Sequence, residues 1–296
     1  MDSEDYKSGF VSIVGRPNSG KSTLVNRLVG DKVSIVTARP QTTRNVVRGI
    51  MSSEQGQVVF LDTPGIHKPN HRMNERMMRL MLESLKHIDL VLLMVDASVP
   101  KGRGDEFALG LVKATKSHLF LLLNKIDKIP KASLLPLIDR YRTAVKFDEI
   151  IPISALDGDG VDILKQRILA YLPKGPMYYP ADQLSDKPER FLAAEIVREK
   201  LIMATRQELP YATAIAIERF LEDEKLIRIF ASIYVERESQ KGIVIGKGGH
   251  LLKQVGTAAR EEIESLLNSK VHLELHVKVK KNWRDDEKLL ETLLGR

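Results

Sequence analysis

The stretch that decides the fold reads FVSIVGRPNSGKSTLVNRL, residues 10–28. An apolar, strand-like run is followed by the pattern G-x-x-x-x-G-K-[ST] and then by a helix-like segment. Such glycines let consecutive N–H groups turn towards one anion, and the helix N-terminus adds partial positive charge. Lys21 is expected to reach the β- and γ-phosphates of a nucleotide, and Ser22 to ligate Mg²⁺. The predicted phosphate-binding loop comprises Gly15, Arg16, Pro17, Asn18, Ser19, Gly20, Lys21, Ser22 and Thr23.

Three further segments each follow an apolar run, in the order that a GTPase requires. They are Asp62-Thr63-Pro64-Gly65, Asn124-Lys125-Ile126-Asp127 and Ser154-Ala155-Leu156. Open α/β sheets bind ligands at the carboxyl ends of their strands, where these segments fall. Asp127 can accept hydrogen bonds from N1–H and N2–H₂ of guanine, whereas adenine leaves that carboxylate unpaired. The pattern therefore predicts GTP and GDP as ligands and argues against a P-loop kinase.

The predicted magnesium ligands are Ser22, Thr43 and Asp62. We favour Thr43 over Thr42 within the sequence QTTRN, residues 41–45, which lies where the first switch loop belongs. The residues assigned to catalysis are Lys21, Thr43 and Gly65, whose N–H can meet the γ-phosphate.

Two features bear on the rate of hydrolysis. Ile66 stands where Ras-type enzymes use a water-orienting glutamine, so we expect slow intrinsic turnover, with RNA or the ribosome as a candidate accelerator. Asn18 either helps to bind a K⁺ ion that assists hydrolysis or only shapes the loop.

Composition sets broad limits. The chain has 296 residues, no cysteine and a net charge of +7, which excludes disulfides and thiolate metal sites and permits a polyanionic partner. Residues 188–296 contribute only 19 Lys and Arg against 18 Asp and Glu, so any nucleic-acid surface there must be a local patch. The acidic start is unlike a signal peptide, and no apolar run approaches the ~20 residues of a membrane span.

The order of elements predicts two domains. Up to residue 172, strands and helices alternate, which indicates an α/β, doubly wound, mostly parallel sheet with one hairpin and hence an antiparallel edge strand. Prolines then interrupt the pattern over 173–188, the predicted linker, and 189–296 form an α+β domain. Helices are expected at 21–29, 73–87, 104–115, 133–146 and 161–171.

In the second domain, Gly246-Lys247-Gly248-Gly249 is a G-x-x-G loop between an apolar turn and an amphipathic helix. In KH domains this loop clamps the backbone of single-stranded nucleic acid, and Lys247 can neutralise a phosphate. Lys241 and Lys253 are the neighbouring basic residues assigned to RNA. A second basic cluster contains Lys278, Lys280, Lys281 and Arg284. The order helix, strand, strand, helix, G-x-x-G, helix, strand resembles a type II KH fold.

A GTPase domain followed by a KH domain resembles the bacterial Era GTPase family over almost the whole chain. The strings that carry the resemblance are GRPN (15–18), QTTR (41–44), DTPG (62–65), ELPY (208–211) and VHLELHVKVK (271–280). The departures are Ser19, where valine is common, and Leu156, where GTPases often have lysine.

The resemblance implies Mg²⁺-dependent GTP hydrolysis, binding to the 3′ end of 16S ribosomal RNA, and a role in maturation of the small (30S) ribosomal subunit. It also implies a cytoplasmic monomer with peripheral contact to the inner membrane and no DNA partner. Two alternatives remain open. One is a tRNA-modification-type GTPase, although no catalytic partner domain is visible. The other is a membrane-associated regulatory GTPase that uses the KH fold to bind protein.

Overall fold

The computed structural model describes residues 5–39, 42–65, 72–205, 209, 212–223 and 225–293. These residues form two compact units, each with its own hydrophobic core. The first unit takes the described residues among Met1–Ser34, Thr43–Pro69 and Asn74–Asp186. The second takes those among Ile35–Thr42, Asn70–Met73 and Lys187–Arg296.

The first unit is built on a six-stranded sheet in the order β2-β3-β1-β4-β5-β6. Only β2 and β3 pair antiparallel, as the predicted hairpin requires, and the other neighbours are parallel. The central strands are buried on both faces, which explains their nearly continuous apolar sequences. The strands are Lys7–Val14 (β1), Val47–Ser53 (β2), Gly56–Asp62 (β3), Leu90–Asp96 (β4), His118–Asn124 (β5) and Glu149–Ile153 (β6).

Five helices accompany this sheet in the chain. They are Lys21–Val29 (α1), Arg72–Glu83 (α2), Arg103–Val112 (α3), Leu134–Arg142 (α4) and Val161–Tyr171 (α5). The helices predicted at 73–87, 104–115 and 133–146 end earlier than expected. After each of them the backbone tightens into i→i+3 bonds, such as Lys86 N–H to Glu83 O and Ala144 N–H to Tyr141 O.

The proline-rich segment after α5 is hydrogen-bonded to the first unit as far as Asp186. Ser8 N–H donates to the carbonyl of Pro173 at 3.0 Å, and Ile50 N–H donates to that of Leu184 at 2.9 Å. The buried Gln57 side chain bonds the backbone of Tyr178 and Tyr179. The segment predicted as a linker at 173–188 is therefore hydrogen-bonded in turn to β1, β3 and β2.

The second unit contains a three-stranded sheet in the order β7-β8-β9, in which β7 and β8 are antiparallel and β8 and β9 parallel. As the alternation over 271–279 predicts, the apolar residues of β9 pack on the core. The helix over 238–245, which the predicted order places before the G-x-x-G loop, extends through residues 242–245, where an apolar turn was expected. The elements are Glu189–Ala204 (α6), Ala214–Asp223 (β7), Leu226–Val235 (β8), Glu238–Ile245 (α7), His250–Leu267 (α8), Val271–Val279 (β9) and Glu287–Leu293 (α9).

Among the described residues, no helix is both long and apolar enough to cross a membrane.

Candidate functional site

The loop between β1 and α1 has the conformation that its glycines predict. Gly20 has a φ of 104°, and a Cβ there would lie 2.2 Å from Nδ2 of Asn124, so only glycine fits. α1 then begins at Lys21 without a side-chain cap, which leaves its first N–H groups directed at the loop. Asn18 is exposed at the tip with a φ of 61°, and Thr23 is half-buried in the first turn of α1. This is an anion-binding helix start.

Lys21 is the buried cation of this loop, with 6 % of its surface exposed. Its Nζ donates to the carbonyl oxygens of Gly15 at 3.1 Å and Arg16 at 2.9 Å. Burial lowers the pKa of Lys21 to about 8, against a smaller opposite effect from Asp62. The amine therefore lies within the curve of the loop, where a phosphate would restore the preference for its charged form.

The three predicted magnesium ligands lie together. Oγ of Ser22 is 2.8 Å from Oγ1 of Thr43, which donates to Oδ2 of Asp62 at 3.4 Å. Asp62 is fully buried, and its Oδ1 has no hydrogen-bond partner among the described residues. Burial raises the pKa of Asp62, while Ser22 and Lys21 act to lower it. Two hydroxyls around an unsatisfied buried carboxylate form the hard-oxygen set that Mg²⁺ prefers, so these residues fit that ion.

The rest of the segment after β3 faces the phosphate loop. Thr63 donates from Oγ1 to the carbonyl of Ile13 at 2.6 Å, which fixes the strand end beside β1. Gly65 packs directly against Pro17. Pro64 connects Thr63 to Gly65. Gly65, the residue predicted to contact the γ-phosphate, therefore lies against the phosphate-binding loop. Ile66 lies outside the described residues.

The segments predicted to bind guanine meet at the ends of β5 and β6. Asn124 is buried and links two loops, since its Nδ2 donates to the carbonyl of Ser19 at 2.7 Å and its Oδ1 accepts from Ala155 N–H at 2.9 Å. Ser154 donates from Oγ to Oδ1 of Asp127 at 2.8 Å, and Asp127 is otherwise exposed. A carboxylate held on one side and open on the other can accept the paired donors of guanine.

Leu156 ends this segment with its side chain 64 % exposed. Its backbone is anchored to α1, because Arg27 donates to the carbonyls of Ala155 and Leu156. Leu156 therefore supplies backbone to the loop, which explains why a residue other than lysine is tolerated there.

Two residues that were not predicted from the sequence join this site. Asp96, at the end of β4, accepts from Nζ of Lys125 at 2.7 Å and lies 3.9 Å from Nη2 of Arg16. Asp105, in the first turn of α3, lies 3.3 Å from Nη1 of Arg16. The signal that could have found Asp96 is its place at the end of an apolar strand, the same position that Asp62 has after β3.

In the second unit, the segment Ile35–Thr42 is bonded to α6. Val36 N–H donates to Oε1 of Glu199 at 2.8 Å, and Nη2 of Arg198 donates to the carbonyl of Thr42 at 2.5 Å. Thr42 thus belongs to the second unit, whereas Thr43 belongs to the first and meets Ser22 and Asp62. The structure places Thr43 beside Ser22 and Asp62, and its assignment as a magnesium ligand stays a prediction. Gln41 lies outside the described residues.

The predicted RNA loop separates α7 from α8. Gly246 has a φ of 75°, and a Cβ there would lie 2.8 Å from that of Leu251, so glycine is needed. Lys247, Gly248 and Lys253 are exposed, Lys241 and Gly249 are half-buried, and α8 begins at His250 without a side-chain cap. Exposed backbone, basic side chains and an uncapped helix start form a surface suited to a phosphate chain.

Three of the four residues of the second basic cluster form ion pairs within the second unit. Lys278 pairs with Glu218, Lys280 with Asp286, and Arg284 with Glu236. Their charges are largely neutralised within the unit. The string ELPY, which helped to carry the family resemblance, has only Leu209 among the described residues.

Comparisons with known proteins agree with this geometry. A family model described as 50S ribosome-binding GTPase matches residues 10–125, and a KH domain model matches residues 208–284. The GTPase Era proteins of Staphylococcus haemolyticus and Staphylococcus epidermidis are each 50% identical over 282 residues, 95% of this chain and 94% of those proteins.

Two solved structures match at 41% identity with a TM-score of 0.94, over 97% of this chain and 98% of theirs. One is Era in complex with MgGDPNP and nucleotides 1506–1542 of 16S ribosomal RNA, and the other is a single-residue variant of Aquifex aeolicus Era bound to GDP·AlF₄⁻. Fold and site thus define a P-loop GTPase domain followed by a KH domain. The chain belongs to the GTPase Era family.

Proposed function

We propose that this GTPase is a molecular switch that binds the 3′ region of 16S ribosomal RNA through its KH domain and assists maturation of the 30S subunit. The observation that carries the proposal is the likeness, over 97% of this chain, to an Era structure that holds both MgGDPNP and nucleotides 1506–1542 of 16S ribosomal RNA. The exposed Lys247 loop and the oxygen cluster at Asp62 supply matching chemistry for both ligands.

In the proposed nucleotide site, Ser22, Thr43 and Asp62 hold Mg²⁺, which when bound neutralises charge on the phosphates. Lys21 and the loop N–H groups stabilise charge that develops during transfer, and Gly65 contributes its N–H to the γ-phosphate. Asp127, with Ser154 behind it, selects guanine. With Ile66 in place of a water-orienting glutamine, intrinsic turnover is slow.

The exposed Asn18 is our proposed contributor to a K⁺ site between the phosphates. Its left-handed backbone places it at the tip of the loop. A K⁺ ion there would add positive charge where Ras-type systems use an arginine. We expect hydrolysis to be faster in K⁺ than in Na⁺, and equal rates in the two salts would contradict this.

We further propose that nucleotide state controls RNA access. The segment Ile35–Thr42 folds with the second unit through Arg198 and Glu199, while Thr43, the next residue, lies with Ser22 in the first. Any movement of Thr43 towards a bound Mg²⁺ is passed along one peptide bond to Thr42. The γ-phosphate thereby acts on a segment that belongs to the RNA-binding unit.

From the family we also carry over a cytoplasmic location, with peripheral contact to the inner membrane, and a monomeric state. Vesicle flotation with and without RNA tests the membrane contact directly.

The test of the main proposal is binding of an RNA equivalent to nucleotides 1506–1542, with a non-hydrolysable GTP analogue or with GDP, beside a scrambled RNA of the same length. We expect sequence-dependent binding that is tighter with the analogue. Lys247→Glu should weaken it. Lys270→Glu is the matched control, because Lys270 is exposed beyond the far end of the 18-residue α8. Equal binding to scrambled RNA would reject the RNA proposal and favour the protein-binding alternative.

A further inference from the structure

The end of β4 carries a carboxylate that contacts both the guanine-binding turn and the phosphate-binding loop. Asp96 is 6 % exposed, and its Oδ1 is fixed by the N–H of Ser98 at 3.0 Å and by its Oγ at 2.6 Å. Its Oδ2 accepts from Lys125 Nζ at 2.7 Å and lies 3.9 Å from Nη2 of Arg16. One buried anion is thus shared by two cations from different loops.

Lys125 lies at the start of the turn that is proposed to bind guanine, and its backbone conformation has to be stabilised by its contacts. Its backbone is left-handed, with a φ of 67°, an uncommon conformation for a residue with a long side chain. It caps the short 3₁₀ turn Ile126–Lys128, which carries Asp127. The ion pair with Asp96 holds the start of that turn, and the bond from Ala97 N–H to the carbonyl of Asn124, at 2.8 Å, fixes the preceding strand.

On the phosphate side, Arg16 is held by two carboxylates. Asp105 has 1 % of its side chain exposed and accepts Gly102 N–H at 2.9 Å through the same Oδ2 that faces Arg16. Arg16 is also one of the two residues whose carbonyls accept from Lys21. The orientation of Arg16 therefore bears on the backbone that surrounds Lys21.

We infer that Asp96 is a positioning residue for guanine-nucleotide binding, which fixes Lys125 and Arg16 so that the base-reading and phosphate-binding loops are held in one arrangement. The inference rests on the proposed nucleotide site. It assigns to Asp96 no contact with the nucleotide itself. Its loss should loosen the turn that carries Asp127 and so weaken base recognition more than it weakens the fold.

The charge state of Asp96 is consistent with this role. Burial alone would raise the pKa of Asp96, but the hydrogen bonds from Lys125 and Ser98 outweigh it and hold the pKa below its usual value. The carboxylate is therefore ionised throughout the neutral range, and both of its cationic partners keep their counter-charge.

The test is the dissociation rate of a fluorescent GDP from the full chain. Asp96→Asn should accelerate release about 10- to 100-fold, the effect of losing one charge-assisted hydrogen bond that orders a site. Asp89→Asn is the matched control, because Asp89 lies beside the opposite end of the same strand, where its Oδ2 accepts Phe10 N–H at 2.8 Å. That variant should lower thermal stability and leave the release rate unchanged.

Two further readouts separate positioning from general destabilisation. IDP lacks the 2-amino group from which Asp127 is proposed to accept a hydrogen bond. The ratio of the GDP affinity to the IDP affinity should therefore decrease in Asp96→Asn and stay constant in Asp89→Asn. In a Lys125→Met background, Asp96→Asn should accelerate GDP release less than it does alone, because only the contact with Arg16 is left to lose. The inference would be overturned if Asp96→Asn and Asp89→Asn accelerated GDP release equally. It would also be overturned if the effects of Asp96→Asn and Lys125→Met on that rate were fully additive.

If Asp96→Asn fails to fold, the same measurement is made on Asp96→Glu, which keeps the negative charge but displaces it by one methylene. We expect an intermediate acceleration of GDP release, and a wild-type rate in that variant would overturn the inference. If wild-type protein itself fails to bind GDP, the proposed nucleotide site is wrong, and that result is distinct from a failure of Asp96.

Discussion

The proposed nucleotide-binding edge of the first unit and the proposed RNA-binding G-x-x-G loop of the second differ in how their charged groups are held. At the edge, Lys21, Asp62 and Asn124 are buried and oriented by hydrogen bonds before any ligand arrives. In the loop, Lys247 and Gly248 are exposed, and the proposed attraction for phosphate comes from backbone N–H groups and one surface cation.

This difference decides how each region responds to change. Charges held in a low-dielectric site interact strongly, and removing one partner leaves the other unsatisfied. Charges on an exposed loop are screened by salt, and a single substitution removes only one contact among several. We therefore expect large, salt-insensitive effects at the edge and smaller, salt-sensitive effects at the loop.

The sharpest way to test the first half of this comparison is Asp127→Asn. The variant loses the carboxylate that accepts two donors from guanine, so GDP affinity should fall about 100-fold or more. Xanthine has an acceptor where guanine has its 2-amino group, so affinity for XDP should rise. Isothermal titration with GDP and with XDP measures both affinities and so checks the change from guanine to xanthine recognition. A parallel loss of both affinities would indicate damage to the loop rather than a change in base recognition.

The next effect concerns the buried Lys21, whose pKa is lowered to about 8 by burial. Phosphate binds the protonated amine and raises its pKa again, so binding takes up a proton once the pH exceeds about 8. GDP affinity, measured without Mg²⁺, should be constant below that pH and fall by up to tenfold per pH unit above it. Lys21→Met should bind weakly and lose this dependence. A residual slope in that variant would report ionisation of guanine itself.

The same contrast explains what the sequence could predict. The edge residues lie at the carboxyl ends of apolar strands, so Asp62, Asn124 and Ser154 could be placed from the pattern alone, and each lies at such a strand end in the structure. Asp96 was missed because its partner Lys125 lies 29 positions away in the chain, and such a pairing depends on strand order. The ion pair between Lys278 and Glu218, which are 60 positions apart, likewise could not be predicted from the sequence, because it also depends on how the strands pair.

Nor could the sequence show that consecutive threonines belong to different units. Thr42 and Thr43 are chemically alike, and partners distant in the chain distinguish them. The carbonyl of Thr42 accepts from Arg198, 156 positions away, whereas the Thr43 hydroxyl contacts Ser22 and Asp62. The order of elements predicted a helix before the G-x-x-G loop, but Gly242 and Gly246 made residues 242–245 resemble a turn, so the end of that helix could not be placed. At the start of this helix Gln240 Oε1 accepts from Arg237 N–H at 3.1 Å, but an arginine at the N-cap cannot accept a bond in return, so the sequence lacks the usual start signal.

At the loop, Lys247→Glu tests the second half of the comparison. RNA affinity should fall about tenfold at low salt, and the slope of log affinity against log salt should become shallower by about 0.7, the value for one lost phosphate contact on a single strand. Nucleotide affinity should not change. Titration of labelled RNA at several salt concentrations gives the slope. A loss of affinity with an unaltered slope would mean that Lys247 contacts no phosphate.

The smallest expected effect concerns the coupling between nucleotide binding in the first unit and RNA binding in the second. Arg198→Lys keeps the positive charge beside Glu195 but shortens the reach to the carbonyl of Thr42. If RNA affinity is about fivefold higher with a GTP analogue than with GDP, at the lower end of common coupling energies, this variant should bring the ratio towards one. The affinity for each nucleotide should stay the same, because Arg198 lies outside the nucleotide site.

The matched control for this last prediction is Arg190→Lys, on the same helix and also bonded to a carbonyl, that of Ile217, which should keep the full ratio. Titration of labelled RNA against each variant, with the analogue and with GDP, gives the two ratios. A ratio preserved in both variants would mean that the segment Ile35–Thr42 follows α6 without transmitting nucleotide state, and that the buried edge and the exposed loop act independently.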